Sequence, residues 1–241
     1  PMKKLKKGKT GRSGGLSGQE IAVLVLLGVA VLAVAGLLVF PKARESLPGK
    51  KTASWHVLGR LGAGQVKRPR DLALGVNGWA YVVDLGDNSV VPLDLQTGRP
   101  GARWPLAAGE KFNEPFGLAV RPDGGLAVAD TFHESPTGRG RIVLMDASGR
   151  VERRFPGAFF GPRDVAVGRQ GEMYVADAGN HRIVTLDSSG RMIRETGQRG
   201  GGRGDLDEPR SLALDRGGIL HVLDMRNRRW VQLAPDGSFL K

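Results

Sequence analysis

The stretch Phe160–Gly197, FGPRDVAVGRQGEMYVADAGNHRIVTLDSSGRMIRETG, decides how the rest of the chain is read. It divides into four short runs: Arg163–Val167, Glu172–Asp177, Arg182–Asp187 and Arg191–Glu195. Each is five or six residues long, too short for a stable helix and ordinary for a strand. Between them, Gly168 to Gly171, Ala178-Gly179-Asn180 and Ser188-Ser189-Gly190 supply the positive-φ and side-chain-bonded positions that tight hairpins need. The stretch reads as one four-stranded antiparallel meander.

The chain repeats it. Pro69, Pro115, Pro162 and Pro209 are 46, 47 and 47 residues apart. Asp84, Asp130, Asp177 and Asp224 each close a strand-like run (YVVD, LAVAD, YVAD, HVLD) with the same 46, 47, 47 spacing. Behind the prolines stand RDLAL, FGLAV, RDVAV and RSLAL. A period of 40 to 50 residues carrying four strands is the signature of a propeller blade, because a lone sheet has two open faces and must stack on neighbours. The expected fold is all-β, a β-propeller of four-stranded antiparallel blades, with repeats at about 66–106, 112–155, 159–197 and 206–241.

At these residues the chain resembles the NHL-repeat family. Gly161–Leu186 matches the family pattern of a proline, a strand, a glycine turn, a run ending in Val-Ala-Asp, then Asn-His-Arg and an Ile-Val run. Asp177, Asn180, His181 and Arg182 carry it. The fourth copy keeps Asp224 and Asn227 but has Arg228 in place of histidine, the first has Asp84 and Asn88, and the second has His133-Glu134 and extra residues around Pro136. The resemblance covers roughly Trp55 to Lys241. It implies a propeller, usually six-bladed, that binds proteins, RNA or other ligands; a minority of relatives are enzymes.

Residues 1–19 form a basic, glycine-rich arm with Lys3, Lys4, Lys6, Lys7, Lys9 and Arg12 and no acid, a composition that builds no core. Ile21–Phe40 is twenty residues without a charge, long enough as a helix to cross a hydrocarbon layer of about 30 Å. Residues 20–40 are therefore expected to be a transmembrane helix or signal anchor, and residues 41–53 a linker. The basic flank places the N-terminus inside and the propeller outside the cytoplasmic membrane. Three fates stay open: an uncleaved anchor, cleavage after Ala33-Val34-Ala35, or a pilin-like leader ending at Gly15 with Glu20 following. All three export the repeats.

The net charge of +12 is unevenly placed: residues 1–51 hold ten Lys/Arg against Glu20 and Glu45, leaving residues 52–241 only +4. The basic excess suits anionic lipid at the arm, and with the repeats exported a nucleic-acid partner is not expected. With no cysteine, disulfides and thiolate chemistry are absent. No cofactor and no metal site is expected, since His56, His133, His181 and His221 show no paired ligand spacing.

Ser54–Arg60 sits where the outer strand of a preceding blade would lie, while Ser238–Lys241 already gives the fourth repeat its own outer strand. The inner three strands belonging to Ser54–Arg60 are then missing, and the chain reads as an excerpt of a larger propeller rather than a closed four-bladed ring.

In a propeller the first strands line the central channel, so Arg70, Arg163 and Arg210, each following the repeat proline, converge at its mouth with Phe116 in the fourth place. Forked guanidinium donors suit carboxylate, phosphate or sulfate. Two readings compete: a mouth for an acidic protein loop or anionic glycan, or arginines that simply pair with Asp84, Asp177 and Asp224. The repeat aspartates Asp84, Asp130, Asp177 and Asp224, with Asn180, His181 and Asn227, are read as structural turn residues. Asp71 and Asp164, where the family more often has glycine, are placed toward the channel. Trp55, Trp79, Trp104 and Trp230 are read as packing between blades. No catalytic residue is assigned. The functional expectation is a membrane-anchored binding or scaffolding module, with an extracytoplasmic lyase- or lactonase-like enzyme, or a pilin-like subunit, as alternatives.

Overall fold

The computed structural model describes residues 64–76, 78–106, 110–131 and 140–240, together with the backbone of four N-terminal strands. Those four are β1 (Ile21–Leu26), β2 (Val29–Val34), β3 (Leu37–Pro41) and β4 (Trp55–Arg60), hydrogen-bonded in that order. The first repeat gives β5 (Pro69–Leu74), β6 (Trp79–Asp84) and β7 (Ser89–Asp94). The second gives β8 (Pro115–Val120), β9 (Leu126–Asp130), β10 (Gly140–Met145) and β11 (Val151–Phe159). The third gives β12 (Pro162–Val167), β13 (Met173–Asp177), β14 (Arg182–Leu186) and β15 (Met192–Thr196), and the fourth β16 (Pro209–Leu214), β17 (Leu220–Asp224) and β18 (Arg229–Leu233). The basic arm, the cleavage positions at Gly15 and Ala35, residues 42–53 of the expected 41–53 linker, His133 and the insertion around Pro136 lie outside the described residues.

Every repeat is an antiparallel meander in sequence order, as the turn chemistry requires. The proline opens β5, β8, β12 and β16 opposite the aspartate closing the next strand, as Pro162 does with Asp177. A bulge follows the proline in all four repeats, and the proline itself has no N–H to lose from a ladder. The fourth residue after three of the repeat aspartates, Asn88, His181 and Arg228, adopts a left-handed φ of 50–56°. The family's Asn-His turn is thus one conformation filled by three different residues.

The outer strands vary. In the first repeat the fourth strand is reduced to bridges from Val90 to Trp104 and from Leu93 to Pro100. In the fourth, the expected strand at Ser238–Lys241 is, among the described residues, a single bridge from Leu233 to Phe239 beyond a tight Ala234–Ser238 turn.

The core lies between blades. Tyr81, Val83 and Val90 of the first blade meet Leu126, Val128 and Met145 of the second. Ala127, Ala129 and Ile142 of the second meet Met173, Val175 and Val184 of the third. Fully burying one such side chain stabilises by about 1.5–3 kcal/mol, so stacking, not the individual meander, holds the fold.

The backbone differs from expectation at two places. Where a membrane-spanning helix was expected, the backbone runs as the hairpins β1–β3, with Ile21 opposite Val34. The physical reason is legible: Gly28 and Gly36 punctuate the apolar run at turn spacing and its valines favour strands. Among the described residues no helix is long and apolar enough to cross a membrane. Second, Trp55–Arg60 does find three inner strands: β4 pairs with β3, so they precede it in the chain.

Candidate functional site

The residues after the repeat prolines come together as expected. The guanidinium carbons of Arg163, Arg70 and Arg210 lie 4.2, 4.7 and 5.9 Å from the centroid of the Phe116 ring. Four inner strands from four blades each deliver one of these side chains, which is why residues 46 and 47 apart share one site. The aromatic face offsets part of the repulsion among three cations, at about 0.5–1 kcal/mol each.

The repulsion leaves a mark. Burial, then the charges of Arg210 and Arg68, hold Arg70 below the usual arginine range, with Glu114 opposing. Burial and Arg210 do the same to Arg163, opposed by Glu114 and Glu208. Glu114 and Glu208 directly precede their prolines at left-handed φ of 61° and 54°, a conformation glycine fills at Gly161 in the third blade. Glu208 is engaged by Arg226 at 2.6 Å. Among the described residues, none of Arg70, Arg163 and Arg210 makes an ion pair with a carboxylate; Arg210 donates to the Met225 sulfur at 3.1 Å.

The alternative that these arginines pair with Asp84, Asp177 and Asp224 is therefore corrected. Each repeat aspartate is fully buried and takes a different set of donors. Asp177 accepts the Phe160 N–H at 2.7 Å, the Asn180 amide at 2.8 Å and the Arg182 guanidinium at 2.9 Å. Asp224 repeats this with Asp207, Asn227 and Arg229. Asp130 takes Asn113 and Arg141, and Asp84 takes Lys67, Arg68, Gly86 and Arg103. The backbone donor lies two residues before the repeat proline in every blade, so the aspartate ties the entry loop to the strand end. Burial pushes Asp130 up to about 7 despite Arg141. In Asp84 the same burial is outweighed by three backbone N–H groups and Arg103, which bring it below the usual carboxylate range.

Arg103, Arg141 and Arg229 were not picked out from the sequence. Arg182 and Arg229 stand five residues after their aspartates, a spacing that could have revealed them; Arg103 reaches Asp84 from beyond β7 and carries no such signal. Arg229 also donates to the carbonyls of Gly201, Gly202 and Asp205, so the glycine-rich approach to Pro209 is held rather than loose. In the Arg203-Gly204-Asp205 tripeptide, the Asp205 carboxylate turns inward onto Gly202 and Gln198.

Below the mouth stand Asp71 and Asp164. Asp71 accepts its neighbour Leu72 N–H and, across the seam, Leu118 N–H of the second blade, both at 2.8 Å. Asp164 accepts Val165 N–H at 2.8 Å and, from the fourth blade, Leu212 N–H at 2.7 Å and the Ser211 hydroxyl at 3.2 Å. They are staples between inner strands. Gly117 stands between them: a Cβ there would meet the Asp164 Oδ1 at 2.4 Å and its Cα at 2.6 Å. Burial pushes Asp71 up to about 6, and burial with the Asp71 charge pushes Asp164 well above the carboxylate range.

The histidines do not converge. His181 Nδ1 lies 3.0 Å from the Asp207 carboxylate, and His221 stacks on Trp230 with its Nε2 3.3 Å from Asp215. Among the described residues no group of three His, Asp or Glu side chains is placed to hold a metal ion. Of the tryptophans, Trp104 packs against Tyr81 at 5.2 Å between centroids, whereas Trp230 is half exposed, against the expectation of packing.

The comparisons agree with this architecture. Residues 159–186 match the family model of the NHL repeat. A structure of virginiamycin B lyase from Staphylococcus aureus superposes with a TM-score of 0.62 at 15% identity, over 91% of this chain and 68% of that one. A streptogramin B lyase structure gives 0.58 at 17% identity, over 71% of this chain and 53% of that one. A protein proposed to be a gluconolactonase gives 0.65 at 15% identity, over 88% and 72%. The chain thus spans about half the length of the streptogramin B lyase chain it matches. The class defined by fold and comparisons is the β-propeller. Within that class, residues 159–186 of the third blade match the NHL repeat.

Proposed function

We propose that the protein is a binding or scaffolding module that takes an anionic group of a protein or glycan at the mouth formed by Arg70, Phe116, Arg163 and Arg210. One observation carries the reading: three guanidiniums from three blades gather over one ring, with no carboxylate ion pair of their own among the described residues. An entering anion relieves their mutual repulsion and gains charge-assisted hydrogen bonds. The test is phenylglyoxal modification followed by mass spectrometry. Arg70 and Arg163 are expected to react faster than Arg191, which pairs with Asp187 in solvent. A sulfated oligosaccharide should protect them, and modification unaffected by any polyanion would refute the reading.

The export reading belongs here too. Twenty uncharged residues after a six-fold basic arm support anchoring in the cytoplasmic membrane through residues 21–40, with the propeller outside. The same residues cannot cross a bilayer and pair as β1–β3 at once. Protease shaving of intact cells distinguishes these: loss of the repeats with the arm retained supports the anchor, and complete protection sinks it.

A lyase- or lactonase-like activity is the second reading. Its support is the likeness of fold to the lyases and the gluconolactonase candidate, and fold alone assigns no chemistry. Turnover of a lactone or of virginiamycin B by purified protein, abolished in Asp164→Asn, would favour it over binding.

A further inference from the structure

In every blade the residue two places before the repeat proline gives its backbone N–H to the buried aspartate. Its side chain is polar in three of them, Lys67, Asn113 and Asp207. In the third blade it is Phe160, which is 52% exposed. Its neighbour Phe159 is 1% exposed in the seam core, so only the second ring of the pair faces water.

The backbone holds Phe160 in that open place. Its N–H goes to Asp177 at 2.7 Å, and its carbonyl accepts the Gly179 N–H at 2.8 Å. The ring lies against Gly179, where a Cβ would stand 2.1 Å from Phe160 Cδ1. An aromatic ring fixed in this way loses little freedom when a partner covers it, which makes it a good anchor.

Phe160 lies three residues from Arg163, so at most about 11 Å of chain separates it from the mouth. The step between them is clear. The second and fourth blades carry Glu114 and Glu208 just before their prolines, at φ of 61° and 54°. The third carries Gly161 at φ 62°, and a Cβ there would meet nothing within 4 Å. An incoming chain can therefore cross from Phe160 to Arg163 with no carboxylate on residues 161 and 162 to repel an acid.

The chemistry of the two ends names the occupant. Charge complementarity calls for a carboxylate among the guanidiniums. Phe160 has no side-chain donor or acceptor, and its main-chain groups are already engaged by Asp177 and Gly179, so it favours an apolar side chain over sugar hydroxyls. Resting on the reading of the mouth as an anion site, we propose that the partner is an extended protein segment. It puts an Asp or Glu carboxylate among Arg70, Arg163 and Arg210, and an aliphatic or aromatic side chain two or three residues away on Phe160.

The test uses the full chain and a capped tetrapeptide with aspartate at one end, photoleucine at the other and two glycines between, made in both orders. Photo-cross-links are expected at Phe160 or Gly179, mapped by mass spectrometry. In titrations, Phe160→Ala should weaken peptide binding about fivefold, as loss of a partly covered apolar contact requires. Phe160→Leu should restore most of it, and binding of a sulfated oligosaccharide should be the same in both variants and the unmodified protein. Unchanged peptide binding in Phe160→Ala, with Arg163→Gln weakening both probes, would overturn this inference and leave the mouth standing. So would a peptide that fails to bind where the oligosaccharide binds, which assigns the mouth to glycans. Equal weakening of peptide and oligosaccharide in Phe160→Ala would show a merely structural role and overturn it too. If Arg163→Gln affects neither probe, the mouth reading itself falls.

Discussion

Asp164 accepts the backbone N–H of Leu212 at 2.7 Å, across the seam between the third and fourth blades. Replacing it by alanine leaves that N–H and the Ser211 hydroxyl without their acceptor. Thermal or urea unfolding of Asp164→Ala should show a loss of about 1–3 kcal/mol. An unchanged midpoint would mean that the staple contributes nothing.

The pair Asp71 and Asp164 makes stability depend on pH in the less usual direction. The folded pKa of each is raised, to about 6 for Asp71 and well above the ordinary value for Asp164. A raised acid contributes most when protonated, so its stabilisation is full below the unfolded pKa and is lost as pH climbs through the folded one. Unfolding midpoints should rise as pH falls from about 7 to about 5, and Asp71→Asn should flatten that slope. A midpoint falling steadily with acid over this range would contradict the assignment.

Asp177 ties Phe160, Asn180 and Arg182 together from a fully buried position. Asp177→Ala removes one of the two carboxylates paired with Arg182, Glu195 at 2.7 Å being the other, and frees the entry loop of the third blade, at a cost of about 1–3 kcal/mol. Hydrogen exchange should locate the loosening at residues 159–161; a uniform change across the chain would not fit.

Gly117→Ala is expected to be worse tolerated than its size suggests. The new methyl would stand 2.6 Å from the Asp164 backbone, which must move. A loss of about 1–3 kcal/mol is expected from overpacking, measured by the denaturation midpoint. The double variant with Asp164→Gly should recover little of it, because the residue-164 Cα and the Arg163 carbonyl, at 2.6 and 2.8 Å, remain in conflict.

Much of the fold was legible because it is written in local chemistry. The turns at Gly168–Gly171 and Ser188–Gly190 set the meander, and a 47-residue period multiplied it into blades. The mouth was legible for the same reason, since Arg70, Phe116, Arg163 and Arg210 occupy one register position. The partners of the buried aspartates were less so. Arg103 reaches Asp84 from a segment with no fixed spacing, and proximity to the mouth arginines suggested a pairing that the strand geometry does not make. The apolar run at Ile21–Phe40 is ambiguous because uninterrupted hydrophobicity describes a spanning helix and an apolar strand equally well. Only Gly28 and Gly36 argued for the latter. Trp230 escaped because its image in the third blade, Ile183, is buried, and the repeat pattern puts both on the same face.

The most direct test of the central claim is isothermal calorimetry of a sulfated oligosaccharide against the folded protein, Arg163→Gln and Arg153→Gln. Arg153 lies away from the mouth, donating to the Ser189 carbonyl, and serves as the charge-matched control. The account predicts that Arg163→Gln weakens binding about tenfold or more, the loss of one charge-assisted contact, while Arg153→Gln leaves it nearly unchanged. Equal weakening in both variants would show diffuse attraction to a basic surface and contradict a built site at the channel mouth.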